Sequence, residues 1–134
     1  MDHKDGPFEN TMMAALDMEI VEAVPERVVM RMPVGPKVHQ PYGMLHGGAT
    51  VALAETAASL GTAQHIDPAT QSAVGMEINA NHVSSVRSGF VRAEATVLHK
   101  GRTSMVWDIK VRAEESGKLV CVSRCTVAIV ARRG

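Results

Sequence analysis

Gln40-Pro41-Tyr42-Gly43-Met44-Leu45-His46-Gly47-Gly48-Ala49-Thr50-Val51-Ala52-Leu53-Ala54-Glu55-Thr56-Ala57-Ala58-Ser59-Leu60-Gly61-Thr62-Ala63-Gln64-His65 is the stretch on which the architecture turns. From Gly48 to His65 it is Ala-rich and free of proline, which predicts a helix, and Asp67-Pro68 marks its end. At 100° per residue Ala49, Leu53, Thr56 and Leu60 form one stripe, flanked by Ala52, Ala57 and Ala63. Small side chains let a layer of strands approach the helix axis closely, so this helix is expected in the core rather than on the surface.

On the N-terminal side, residues 9 to 17 are compatible with a short helix, followed by strands from Met18 to Ala23 and from Val28 to Val34. Val28, Met30, Met32 and Val34 alternate with Val29 and Arg31, and Pro33, Gly35 and Pro36 then open a loop to Gly43. On the C-terminal side four further strands are expected: Ala73 to Val83, Phe90 to His99, Thr103 to Arg112 and Leu119 to Val130. Ser88-Gly89, Lys100-Gly101 and Glu115-Ser116-Gly117 supply short turns, which favour antiparallel neighbours. The expected fold is α+β, with one long central helix against an antiparallel sheet of five or six strands.

A chain of 134 residues, 46% of them hydrophobic, fits one domain, with residues 1 to 12 expected as a flexible N-terminus. Fourteen basic residues balance fourteen acidic ones, so no overall field draws nucleic acid or an anionic membrane, and neither is expected as a partner. The start of the chain is polar and lacks the apolar core of a signal peptide, so a cytoplasmic protein is expected. Cys121 and Cys125 fall in one strand, where four residues span about 13 Å, beyond the roughly 7 Å that a disulfide bridges. They read as buried small hydrophobes, and His39, His65 and His99 have no metal-ligand spacing.

Glu55 is the one charged residue between Ala49 and Ala63, and Val51, Ala52, Ala58 and Ser59 around it offer no cation. Such a carboxylate either reaches the helix rim or pairs with an arginine from a strand, or it lines a cleft and does chemistry. Ser59, one turn later, either orients that carboxylate or a water, or bonds its own backbone. Gly47-Gly48 at the helix start either serve an ordinary turn or leave backbone N–H groups free at the positive end of the dipole, the arrangement of an oxyanion hole. Eight residues of helix separate Gly47 from Glu55, roughly 12 Å at the helical rise, which exceeds one reacting centre. Two subunits with antiparallel helices would bring Gly47 of one close to Glu55 of the other.

His46-Gly47-Gly48 followed by Ala52-Leu53-Ala54-Glu55-Thr56, and preceded by Gln40-Pro41-Tyr42-Gly43, resembles the hot-dog thioesterases of the PaaI and 4-hydroxybenzoyl-CoA thioesterase type. The likeness runs from about Met18 to Ile129, through Gly75-Met76-Glu77-Ile78-Asn79-Ala80-Asn81-His82 and His99-Lys100-Gly101-Arg102-Thr103, and is closest to the bacterial branch acting on aryl-CoA thioesters such as 1,4-dihydroxy-2-naphthoyl-CoA. The resemblance implies Glu55 as nucleophile or general base and the Gly47 N–H as oxyanion donor. It implies Gln40 at the thioester carbonyl, His46 orienting the thioester and Ser59 positioning water. It also implies a composite site at a homodimer interface, dimers pairing into a homotetramer, and no cofactor beyond the coenzyme A carried by the substrate.

Coenzyme A brings phosphates that a neutral protein must hold with local cations and donors. Asn81, His82, Lys100, Gly101, Arg102, Thr103 and Ser104 are the candidates in the two segments where the resemblance places such contacts. Arg102 is equally an ordinary exposed turn residue, and His82 a polar residue at a strand end. Two rivals keep the fold and change the function: an enoyl-CoA hydratase, whose Asp and His pair is not evident here, and a non-catalytic acyl-CoA-binding protein. No Gly-x-Ser-x-Gly elbow supports serine chemistry, and no helix-turn-helix supports DNA binding.

Overall fold

The computed structural model describes residues 8 to 132. A four-residue helix α1 (Met12–Ala15) precedes strands β1 (Glu19–Val24) and β2 (Arg27–Pro33). A 3-10 turn at Pro36–Val38 leads through the loop to α2 (Gly47–Ala63), and β3 (Gln71–His82), β4 (Phe90–Lys100), β5 (Ser104–Ala113) and β6 (Leu119–Ala131) follow. All pairings are antiparallel in the order β1-β2-β4-β5-β6-β3. Passage through α2 carries the chain from β2 to the far edge of the sheet, so β3 ends as an edge strand.

The core lies between α2 and the inner face of the sheet, where Val28, Met30, Met32, Val91, Ala93, Ala95, Ile109, Val111 and Val127 are buried. The expected closeness of helix and strands is realised at Gly61, where a β-carbon would stand 2.4 Å from the Trp107 ring. Trp107 Nε1 donates to Thr62 Oγ1 at 2.9 Å, and that hydroxyl donates to the Ala58 carbonyl at 3.1 Å. A buried indole N–H is thereby satisfied inside the apolar layer.

The predicted helix stripe is rotated in the structure. The buried face of α2 is Thr50, Leu53, Ala54, Ala57, Ala58, Gly61 and Thr62, whereas Ala49, Thr56 and Leu60 are half-buried. A threonine that bonds the preceding turn behaves as a small apolar residue, so Thr62 belongs to the core side. The helix is therefore wrapped on one side, and its opposite face remains open. The N-terminal helix is shorter than the expected 9 to 17. Of the twelve residues expected to be flexible, 1 to 7 lie outside the described residues, while Phe8 packs against the core and Met12 begins α1. Cys121 and Cys125 are free and buried on β6.

Candidate active site

The loop before α2 is held by its own side chains. Gln40 Oε1 accepts from the Tyr42 N–H at 2.5 Å and lies 3.4 Å from Met44 N, while Gly43 turns the backbone at φ 79°. With its oxygen committed to the loop, the Gln40 amide keeps its NH₂ group for another acceptor. Leu45 N–H donates to the Val86 carbonyl and His46 N–H to the Val38 carbonyl, both at 2.8 Å, which fixes the helix entry. His46 is the N-cap: its Nδ1 accepts from the Gly48 N–H at 2.8 Å. Among the described residues the Gly47 N–H has no acceptor, as the first turn of a helix predicts.

His82, at the end of β3, closes over Gly47: a β-carbon on Gly47 would stand 2.8 Å from His82 Nε2. Gln40, Met44, Gly47, Thr50, His82 and Ser84 share a cleft of about 360 Å³.

Glu55 opens elsewhere. It lies on the uncovered face of α2 in a groove of about 730 Å³ whose walls include Met12 and Met13 of α1, Ser59 and Leu60 of the helix, and Ala73 of β3. Among the described residues Glu55 has no hydrogen-bond or ion-pair partner, and neither has the Ser59 hydroxyl, which leaves the turn-bonding to Thr56 and Thr62. No arginine among the described residues partners it. Behind the carboxylate, burial pushes the Cys125 thiol up to about 12, and the charges of Glu55 and Glu77 add to that shift. Burial likewise raises Cys121, so both cysteines are neutral thiols at physiological pH.

The structure thus sorts the sequence candidates into two sets. Gln40, Gly47 and His82 share the cleft at the N-terminal end of α2, where His46 caps the helix, while Asn81 precedes His82 on β3 and lies on the opposite face of the strand. Lys100, Gly101, Arg102, Thr103 and Ser104 lie at the opposite end of the sheet: His82 pairs with Cys121 and Ser104 with Ala128, seven residues of β6 apart or roughly 23 Å at the strand rise. One chain therefore does not bring the proposed coenzyme A contacts together. Residues that sequence reasoning missed are Met12, Met13 and Ala73 of the groove and Ser84 of the smaller cleft. The spacing of Val51, Glu55, Ser59 and Ala63, four residues apart, was a usable signal for the helical wall; the other walls come from tertiary packing.

Residues 42 to 120 match the model of the thioesterase superfamily. The chain is 46% identical over 118 residues to the 1,4-dihydroxy-2-naphthoyl-CoA hydrolase of Listeria monocytogenes, covering 88% of this chain and 94% of that one. A glutamate-to-alanine variant of the protein SAV0944 from Staphylococcus aureus superposes with a TM-score of 0.88 at 44% identity, over 90% of this chain and 99% of that one. A glutamine-to-alanine variant of the same protein, there described as a thioesterase, gives a TM-score of 0.86 at 44% identity, over 88% of this chain and 97% of that one. A sheet of six antiparallel strands around one long helix, with an unpaired helix glutamate eight residues beyond a glycine N-terminus, places the chain in the thioesterase superfamily with the hot-dog fold.

Proposed function

We propose that the chain hydrolyses acyl-CoA thioesters, with aryl-CoA of the 1,4-dihydroxy-2-naphthoyl-CoA or hydroxybenzoyl-CoA kind as the favoured substrate, at a site built from two copies. The observation that carries the reading is the unpaired Glu55 carboxylate in an apolar groove. The substrate choice is supported by the name of the Listeria relative. The two variants of the staphylococcal protein add weight: their replaced glutamine and glutamate are fifteen residues apart, the separation of Gln40 and Glu55 here.

The composite site is supported by the placement of the two clefts on different parts of one chain and by the edge strand β3. Val74 and Met76 there, and Val83 just past its end, are 49%, 64% and 54% exposed, and one side of the strand has no ladder partner among the described residues. An exposed apolar edge is a template for another strand. A second β3 running antiparallel would set the His82 end of one copy beside the Gln71 end of the other. Gly47, Gln40 and His82 would then face Glu55, Ser59 and the Lys100 to Ser104 turn of the second copy, joining both sets of candidates at one centre.

In that arrangement the acyl group lies in the groove and the thioester oxygen receives the Gly47 N–H and the Gln40 NH₂ group. Glu55 adds to the carbonyl carbon directly, giving an anhydride that water opens, or takes a proton from a water held by Ser59 so that hydroxide adds. Either way the C–S bond breaks, coenzyme A leaves as thiolate and takes a proton, and the free acid remains. No further cofactor enters. A cytoplasmic location and pairing of dimers into tetramers complete the proposal; no described helix is long and apolar enough to cross a membrane.

Steady-state hydrolysis of benzoyl-CoA, dihydroxynaphthoyl-CoA and fatty acyl-CoAs tests the activity, with Glu55→Ala expected to lower kcat about a hundredfold or more and change KM little. Binding without hydrolysis by the wild type would establish the non-catalytic rival instead. Co-expressing Glu55→Ala with Gln40→Ala tests the composite site, because hybrid dimers regain one intact centre and about a quarter of wild-type activity returns. No recovery would place the whole site in one chain.

A further inference from the structure

The groove owes the position of its carboxylate to an interruption in the neighbouring strand. Along β3, Ala73 and Gly75 oppose the inward Ile129 and Val127 of β6, and the pairing then slips, so that Glu77 opposes Thr126 and Met76 is the extra residue. Beyond this bulge Ile78, Ala80 and His82 face α2. One inserted residue thereby keeps both Gly75 and the even-numbered residues after it on the helix side, and turns Met76 outward.

At Gly75 a β-carbon would stand 2.4 Å from Oε2 and 3.0 Å from Cδ of Glu55. The carboxylate occupies the volume that any other residue's side chain would fill. Gly75 is not among the glycines with positive φ, which are Gly43, Gly89 and Gly117, so its backbone conformation is open to other residues. Glycine inside a strand weakens the strand, and here the close approach of Glu55 accounts for it. We propose that Gly75 is a positioning residue, a strand-side seat that sets the reach and orientation of the Glu55 carboxylate. This inference rests on the catalytic reading of Glu55.

Because Glu55 is a flexible side chain, a methyl group at position 75 displaces the carboxylate and leaves the sheet in place. Gly75→Ala should therefore lower kcat about tenfold to a hundredfold, as a displacement near 1 Å does at a reacting centre, with KM within about twofold. In a Glu55→Asp background, where the shorter carboxylate stands clear of position 75, the same substitution should cost less than threefold in kcat relative to Glu55→Asp alone. In a Glu55→Ala background, Gly75→Ala should leave the melting temperature of Glu55→Ala unchanged. Full kcat in Gly75→Ala beside an inactive Glu55→Ala overturns the inference alone, whereas an active Glu55→Ala overturns the catalytic reading beneath it. Unfolding of Gly75→Ala in every background makes the glycine a requirement of the sheet and also overturns the inference.

Discussion

The outer face of the sheet and the groove along α2 treat carboxylates in opposite ways. On the outer face Arg27 meets Glu22 and Glu94 at 2.6 Å, and Arg31 meets Glu19 at 2.7 Å and Glu114 at 2.8 Å while stacking 3.6 Å from the centre of the Phe90 ring. Arg31 holds the Glu114 carboxyl below its ordinary range. In the groove, Glu55 has apolar walls and no cation among the described residues. Charges on the outer face of the sheet are neutralised by a neighbour across the strands, whereas Glu55, without one among the described residues, faces a space large enough for a substrate.

Exchanging glutamine for glutamate in each region should separate the two roles. Glu55→Gln is expected to lower kcat about a hundredfold or more and to leave stability unchanged or improved, because a group kept for function is often costly to the fold. Glu114→Gln should keep kcat within about twofold. If both variants lose activity equally, the contrast fails. Next in size, Arg31→Ala should lower urea stability by about 1–2 kcal/mol through loss of its ring contact and two ion pairs, with activity retained.

The smallest effect concerns pH. Glu114 has a lowered folded-state pKa, so its pairing adds stability above its unfolded value of 4.5 and loses it as the pH falls through the folded value. The stability difference between wild type and Glu114→Gln should thus be present at pH 7 and vanish in acid. Cys125 gives the opposite slope. Its thiol is held at about 12 in the fold against 9.0 in the open chain, so stability contributed by the neutral thiol declines above pH 9. Cys125→Ala should flatten that decline in an alkaline melting series.

The strands and the helix were legible because each obeys a local rule. Period-two alternation marked Val28 to Met32 and Met105 to Val111, glycine turns at 89, 101 and 117 separated successive strands, and alanine content with Asp67-Pro68 bounded α2. The rotation of the helix was not legible, since Thr50 and Thr62 look polar until a tertiary neighbour such as Trp107 shows what they pack against. Glu55 could be singled out by its isolation on the helix, and Gly47 by its place at the helix start. Gly75 could not, because its role depends on a side chain twenty residues away in sequence and on a bulge that local pattern does not reveal. The grouping of Lys100 to Ser104 with His82 likewise reflected shared chemistry, and the strand register separates them.

Trp107 is the one tryptophan in the chain, and it is fully buried between β5 and the C-terminal half of α2, with its N–H bonded to Thr62. Its fluorescence therefore reads a single event, the seating of the helix on the sheet. Emission should be blue-shifted in the folded protein and move to the red only when that contact opens. Since the indole lies on the covered side of the helix and Glu55 on the other, substitutions in the groove should leave the spectrum untouched. The protein carries its own optical gauge of folding, independent of turnover.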